Sequence, residues 1–83
     1  MASIQDRVIT VTARVLRLDP KDVKVEHHFA KDLGAESIQS VELVANFEEE
    51  FGIEMDQDEA LSVQCVGDAV TYVKKVLAEQ RGG

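Results

Sequence analysis

The apolar residues near the start of the chain recur at helical spacing. Ile4, Val8, Val11, Val15 and Leu18 follow one another at intervals of four, three, four and three, with Arg7, Arg14 and Arg17 off the stripe. That is one face of an amphipathic helix. Ser3 is the expected N-cap, with Asp6 three residues on in the acidic capping-box position. The β-branched residues of the stripe lower helix propensity, so packing must hold this helix in place. Asp19-Pro20 is expected to end it, since the residue before a proline resists the helical region. Residues 19–36 show no sustained period. Val23, Val25, Phe29 and Leu33 are scattered anchors in a long connection with one helical turn after Pro20. Loops of this length are uncommon in a small domain and are often functional. Gly34 supplies a turn before the next periodic run.

From Ser37 to Phe51 the helical pattern returns. Val41, Leu43, Val44, Phe47 and Phe51 spread over one side, Gln39, Glu42, Asn46, Glu49 and Glu50 over the other, and Ile38 and Ala45 fall at the boundary. Gly52 is placed to stop this helix as a C-cap. A short helix is expected at 57–62 with Ala60 and Leu61 packing inward. A last helix is expected over 66–79 on Val66, Ala69, Val70, Val73 and Val76/Leu77, with Asp68 in its first turn and Lys74 and Lys75 near its end. No segment alternates with period two between turn signals. The pattern therefore predicts one all-α domain, a four-helix bundle of three main helices and one short one with a long first loop. Its core spans about 4–77, and a flexible tail covers 80–83.

Eighty-three residues make one small domain, able to bury only about 60% of its unfolded surface. Cys65 is the sole cysteine, so no intrachain disulfide is possible and a reducing compartment suits the chain. The N-terminus has neither the apolar run of a signal peptide nor the character of a transit peptide, and no segment approaches the roughly 20 apolar residues of a membrane span. The expectation is a cytoplasmic monomer without membrane insertion. Charge adds more. Residues 1–31 hold six basic groups against four acidic ones, whereas residues 32–73 hold eleven acidic groups and no Lys, Arg or His. Such a block repels nucleic-acid phosphates and attracts basic protein surfaces. It also serves simply as a solvated face that keeps a small domain soluble.

Independent catalysis finds few tools. Cys65, His27 and His28 are too few and badly spaced for a metal cluster, and the histidines are expected to be solvated in a polar loop. Glu54-Met55-Asp56-Gln57-Asp58 begins like a calcium loop but lacks the glycine at position six and the closing bidentate Glu. Arg81-Gly82-Gly83 matches the end of ubiquitin-like modifiers, but those are built on a sheet, which this pattern lacks. Ser37 remains. It serves either as a helix N-cap, worth about 1 kcal/mol, or as the carrier of a phosphodiester at a helix N-terminus. No hydrolase elbow or activating histidine accompanies it, so any chemistry on Ser37 falls to another enzyme.

The stretch Asp32-Leu33-Gly34-Ala35-Glu36-Ser37-Ile38, followed by Val41-Glu42-Leu43-Val44 and Glu48-Glu49-Glu50-Phe51-Gly52-Ile53, resembles the acyl carrier proteins. Their motif reads Asp-Leu-Gly-x-Asp-Ser-Leu, then Val-Glu-Leu-Val and Glu-Glu-Glu-Phe. The likeness continues into Asp68-Ala69-Val70-Thr71-Tyr72-Val73. The resemblance implies a phosphoprotein whose Ser37 bears a 4′-phosphopantetheine arm, added from coenzyme A by a phosphopantetheinyl transferase. The arm carries acyl groups as thioesters between enzymes of fatty-acid or related lipid biosynthesis. It further implies recognition by partner enzymes through Glu36, Ile38, Val41, Glu42, Ala45, Glu48 and Glu49, with Met55 nearby. Val8, Phe29, Phe47, Phe51, Ile53, Leu61, Val70 and Val73 would form the core that shelters the acyl chain. The chain departs from the pattern at Glu36 (for Asp), Ile38 (for Leu), Gln39 (for an acid), Ala45 (for a larger apolar residue) and Asp56 (for Pro). These departures point to a specialised carrier. The alternatives are a discrete polyketide, peptidyl or amino-acyl carrier, and an unmodified acidic adaptor using Ser37 only as a cap.

Overall fold

The structure is a computed structural model and describes residues 3–81. Four α-helices run in chain order, α1 (Ile4–Leu16), α2 (Ser37–Phe51), α3 (Gln57–Ser62) and α4 (Val66–Arg81), with one 3₁₀ turn at Pro20–Asp22. Among the described residues there is no strand, only an isolated bridge between His28 and Cys65. Ser3 caps α1 as the sequence predicts, its Oγ accepting from the Asp6 N–H at 3.1 Å. The helix then stops at Leu16, earlier than the apolar stripe extends and three residues before Asp19. Arg17 adopts the left-handed conformation (φ 59°), and the Leu18 N–H turns back to the Ala13 carbonyl at 2.8 Å. Proline is therefore not what ends α1. Pro20 instead opens the predicted single turn, capped by the Asp19 carboxylate.

α1 packs on both α2 and α4, and α3 packs on α2. Val8, Val11, Leu43, Phe47, Phe51, Val66, Val70, Val73 and Val76 are buried together, as the periodicity predicts, and Ile53, expected in the core from the family resemblance, joins them. The core also takes Thr12, Ala13 and Leu16, which lie beside the predicted stripe. Arg7 bridges α1 to the end of α2: its Nε donates to Glu50 Oε2 at 2.9 Å and its Nη2 to the Glu50 carbonyl at 2.8 Å. The guanidinium stands 4.5 Å from the centre of the Phe51 ring. Gly52 ends α2 with φ 63°, as expected of a C-cap glycine.

The long first loop is pinned rather than loose. Phe29 and Val23 are buried and Leu33 is half-buried, but Val25 is 37% exposed and contributes its backbone instead. The Val66 N–H donates to the His27 carbonyl at 3.0 Å, the Gly67 N–H to the Val25 carbonyl at 2.8 Å, and the Phe29 N–H to the Gln64 carbonyl at 2.8 Å. Loop carbonyls thus satisfy the first N–H groups of α4, so no capping side chain is needed at Cys65. Gly67 permits this approach, since a Cβ there would lie 3.1 Å from the Val25 carbonyl oxygen. The histidines stand half-buried at the loop surface, the His28 side chain still 40% exposed to solvent as expected. His27 Nδ1 accepts from the Lys24 N–H at 3.0 Å, and His28 Nδ1 lies 3.4 Å from Asp32 Oδ2. α4 continues to Arg81, so Gln80 belongs to a helix and not to the predicted tail; Gly82 and Gly83 lie outside the described residues. Leu61 is 41% exposed, not packed inward as predicted: α3 is six residues long and turns only Ala60 into the core.

Candidate functional site

The loop delivers the chain to α2 through a tight turn. The Asp32 carboxylate accepts the His28 N–H at 2.7 Å, the Gly34 N–H closes on the Ala30 carbonyl at 3.1 Å, and Gly34 takes φ 74°. That backbone bond from His28, supported by both neighbouring imidazoles, holds the Asp32 carboxyl below the usual carboxylate range. Buried Ala35 then anchors the last residue before the cap, its N–H donating to the Phe29 carbonyl at 2.8 Å.

Glu36, not Ser37, is the N-cap of α2. The Glu36 N–H donates to Gln39 Oε1 at 2.9 Å, the reciprocal arm of a capping box, and the first helical bond runs from the Ser40 N–H to the Glu36 carbonyl. Gln39, a departure from the carrier motif, thereby acquires a local task. Ser37 stands at the first helical position, exposed, and its hydroxyl makes no hydrogen bond among the described residues. The cap reading of Ser37 is thus corrected. α2 has no acidic residue in its first turn, whereas α1, α3 and α4 each do. The positive end of its dipole is met only by the Glu36 carboxylate at the cap.

A cavity of about 320 Å³ opens one turn further along. α2 contributes Ser40, Leu43, Val44 and Phe47 to its wall, α3 and its flanks Met55, Ala60, Leu61, Val63 and Gln64, α4 Ala69 and Tyr72, and the loop His28, Phe29, Ala30 and Lys31. The α2 wall is a stripe at helical spacing with Ser37 at its N-terminal edge. Of the predicted shelter residues, Phe29, Phe47 and Leu61 line the cavity. Val8, Phe51, Ile53, Val70 and Val73 are buried in the surrounding core instead. Tyr72 is a wall residue that sequence reasoning missed, although it follows Ala69 by three on the same helix face. Its hydroxyl lies 3.4 Å from Glu59 Oε2, and its partial burial, with the Glu59 charge second, pushes the phenol pKa up.

The predicted docking residues divide into two groups. Glu36, Ile38, Val41, Glu42, Ala45 and Glu49 are exposed, with Ile38 at 69% and Val41 at 44%. Val41 therefore belongs to the outer face and not to the apolar side of the helix. Glu48 and Met55 are half-buried and joined to each other, the Met55 N–H donating to Glu48 Oε2 at 2.9 Å. The Asp56 carboxylate caps α3, accepting the Glu59 N–H at 3.0 Å. No helix among the described residues is long and apolar enough to cross a membrane.

Comparison with known proteins bears directly on this geometry. Residues 6–73 match the family described as the phosphopantetheine attachment site. The chain is similar to the acyl carrier proteins of two strains of Porphyromonas gingivalis. It is 38% identical to each over 77 residues, covering 93% of this chain and 99% of the relative. The match takes in the loop, the α2 start with its exposed serine, and the cavity-lining helices alike. The chain belongs to the acyl carrier family, non-catalytic helical proteins whose cofactor is phosphopantetheine.

Proposed function

We propose that Ser37 is the attachment residue, and that the protein carries acyl intermediates between enzymes of fatty-acid or related lipid biosynthesis. The observation that carries this reading is the Ser37 hydroxyl, exposed and without a hydrogen-bond partner among the described residues at the first position of α2, one turn from an apolar cavity. The residues fit the cofactor. A phosphodiester on Ser37 Oγ would face the unpaired N–H groups of the α2 N-terminus, which favour an anion. Glu36 opposes this with one negative charge, but it is exposed and water screens it. When bound, phosphopantetheine supplies a terminal thiol that holds an acyl group as a thioester.

The chain's own residues do the rest. Leu43, Val44, Phe47, Ala60, Val63 and Ala69 offer an apolar wall that excludes water from an alkyl chain. Exposed Ile38, Val41 and Ala45, flanked by Glu42 and Glu49, offer a docking face for basic partners, among them the transferase that would esterify Ser37 from coenzyme A. Screened surface ion pairs of this kind speed encounter and leave release fast, as a shuttle requires. We place the protein in the cytoplasm as a monomer. The test is to incubate it with octanoyl-coenzyme A, Mg²⁺ and a promiscuous phosphopantetheinyl transferase, then treat it with hydroxylamine. An intact-mass gain should appear and then lose only its acyl part; a protein that gains no mass refutes the carrier reading.

A further inference from the structure

The first turn of α2 is fixed without using the Ser37 side chain. The Glu36 N–H donates to Gln39 Oε1 at 2.9 Å. The Glu36 carbonyl accepts the Ser40 N–H at 3.0 Å and the Ser40 hydroxyl at 3.3 Å. Just upstream, the N–H of buried Ala35 is held by the Phe29 carbonyl at 2.8 Å. The backbone leading into Ser37 is thus pinned, while the Ser37 hydroxyl makes no hydrogen bond among the described residues. Gln39 occupies the third helical position. The same position holds an acid in the two other helices whose caps are described, Asp6 in α1 and Glu59 in α3. A carboxylate would accept the Glu36 N–H as an amide carbonyl does, and its charge would also meet the positive helix end. Repulsion from the cap residue does not account for the neutral side chain. Asp56, Asp58 and Glu59 share the start of α3. Nor are acids scarce, since residues 32–73 carry eleven, yet none stands in the first turn of α2. The family match supplies, independently of this geometry, an anion for which that turn is kept clear, the phosphate of phosphopantetheine.

We propose that Gln39 is a positioning residue for the phosphopantetheine arm. It performs the structural half of a capping box with a neutral group. The first turn of α2 is therefore held in shape while its positive end stays available to the phosphodiester. The inference rests on Ser37 being the attachment residue and adds how its seat is maintained. A phosphodiester carries a permanent negative charge. A carboxylate at position 39, two residues from Ser37, would stand within the screening length of about 8 Å at physiological salt. It would also compete for the unpaired N–H groups that favour an anion there. Exposed Glu36 already opposes the phosphate from the cap, and a second acid would add to that opposition.

The test is a thermodynamic cycle on the full-length chain. Urea unfolding is measured for unmodified protein and for protein loaded from coenzyme A by excess transferase, with loading confirmed by intact mass. At physiological ionic strength, the change in unfolding equilibrium constant on loading should be about threefold less favourable in Gln39→Glu than in wild type. That difference should disappear at high salt. Ala45→Glu adds an exposed charge two turns further along α2 and should respond to loading as wild type does. Hydrogen exchange of the Glu36 amide in unmodified protein reads the structural half. Gln39→Ala should speed it about fivefold, whereas Gln39→Glu, which keeps an acceptor in place, should not. Four results would each overturn the proposal: an equal response of Gln39→Glu and wild type to loading, the same coupling in Ala45→Glu, wild-type exchange in Gln39→Ala, or fast exchange in Gln39→Glu. A wild-type chain that gains no mass would refute the carrier reading and this inference with it. Loading without the coupling would refute the inference alone.

Discussion

Ser37 separates two accounts by a measurement of stability alone. Had its hydroxyl capped α2, removing it would cost about 1 kcal/mol. It stands at the first helical position with no side-chain bond to lose among the described residues, so Ser37→Ala should leave thermal stability within about 0.5 kcal/mol of wild type. Asp32 gives a pH-dependent prediction at the same scale. Its folded pKa lies below the unfolded value, so its contribution is complete at neutral pH and fades as pH falls below about 4. The stability advantage of wild type over Asp32→Ala should therefore shrink as the pH of an acid titration falls through the folded value of Asp32. Tyr72 has the opposite sign. Its raised pKa favours the neutral phenol in the fold, so that contribution holds below about pH 10 and is lost as pH climbs through the folded value. As the chain's only tyrosine, it can be followed by ultraviolet absorbance, and Glu59→Gln should move its titration downward.

At the scale of elements, the two ends of α2 are held by different means. Arg7→Ala removes a two-point contact with Glu50 and a cation–π contact with Phe51, on groups that remain partly exposed. It should cost about 1–2 kcal/mol, with Arg7→Lys recovering little because an ammonium lacks the planar fork. Gly52→Ala should cost about 1 kcal/mol from its positive φ alone, since the space around it is open, lowering the melting temperature by about 4–8 °C. These elements also mark what a sequence discloses. The span of α2, its glycine stop and the Ser3 cap follow from local spacing and local bonds. The early end of α1 does not, because Arg17 closes that helix through backbone bonds no apolar period records. Nor does the exposure of Leu61, since six residues are too few to define a face by periodicity. The loop carbonyls that serve α4 come from Val25 and His27, about 40 residues back, and the Glu48–Met55 bond crosses a turn. Contacts of that range become legible only when the chain is folded.

Across the whole molecule, charge and shape act together. Acidic groups crowd residues 32–73, the segment that contains α2, α3 and the start of α4, and most of the cavity wall comes from that same segment, the rest from His28 to Lys31 of the loop. Binding to basic partner enzymes should therefore weaken as salt rises, mainly through a slower association rate, and the hydrolysis of a loaded thioester should not share that dependence. The central claim is that Ser37, and no neighbouring hydroxyl, bears the arm. Trypsin cuts after Lys31 and Lys74 and nowhere between, so one peptide holds Ser37, Ser40, Ser62 and Thr71. After loading, fragmentation of that peptide should place the added mass on Ser37, and the Ser37→Ala protein should gain none. Mass found on Ser40, or a gain that persists in Ser37→Ala, would contradict the account.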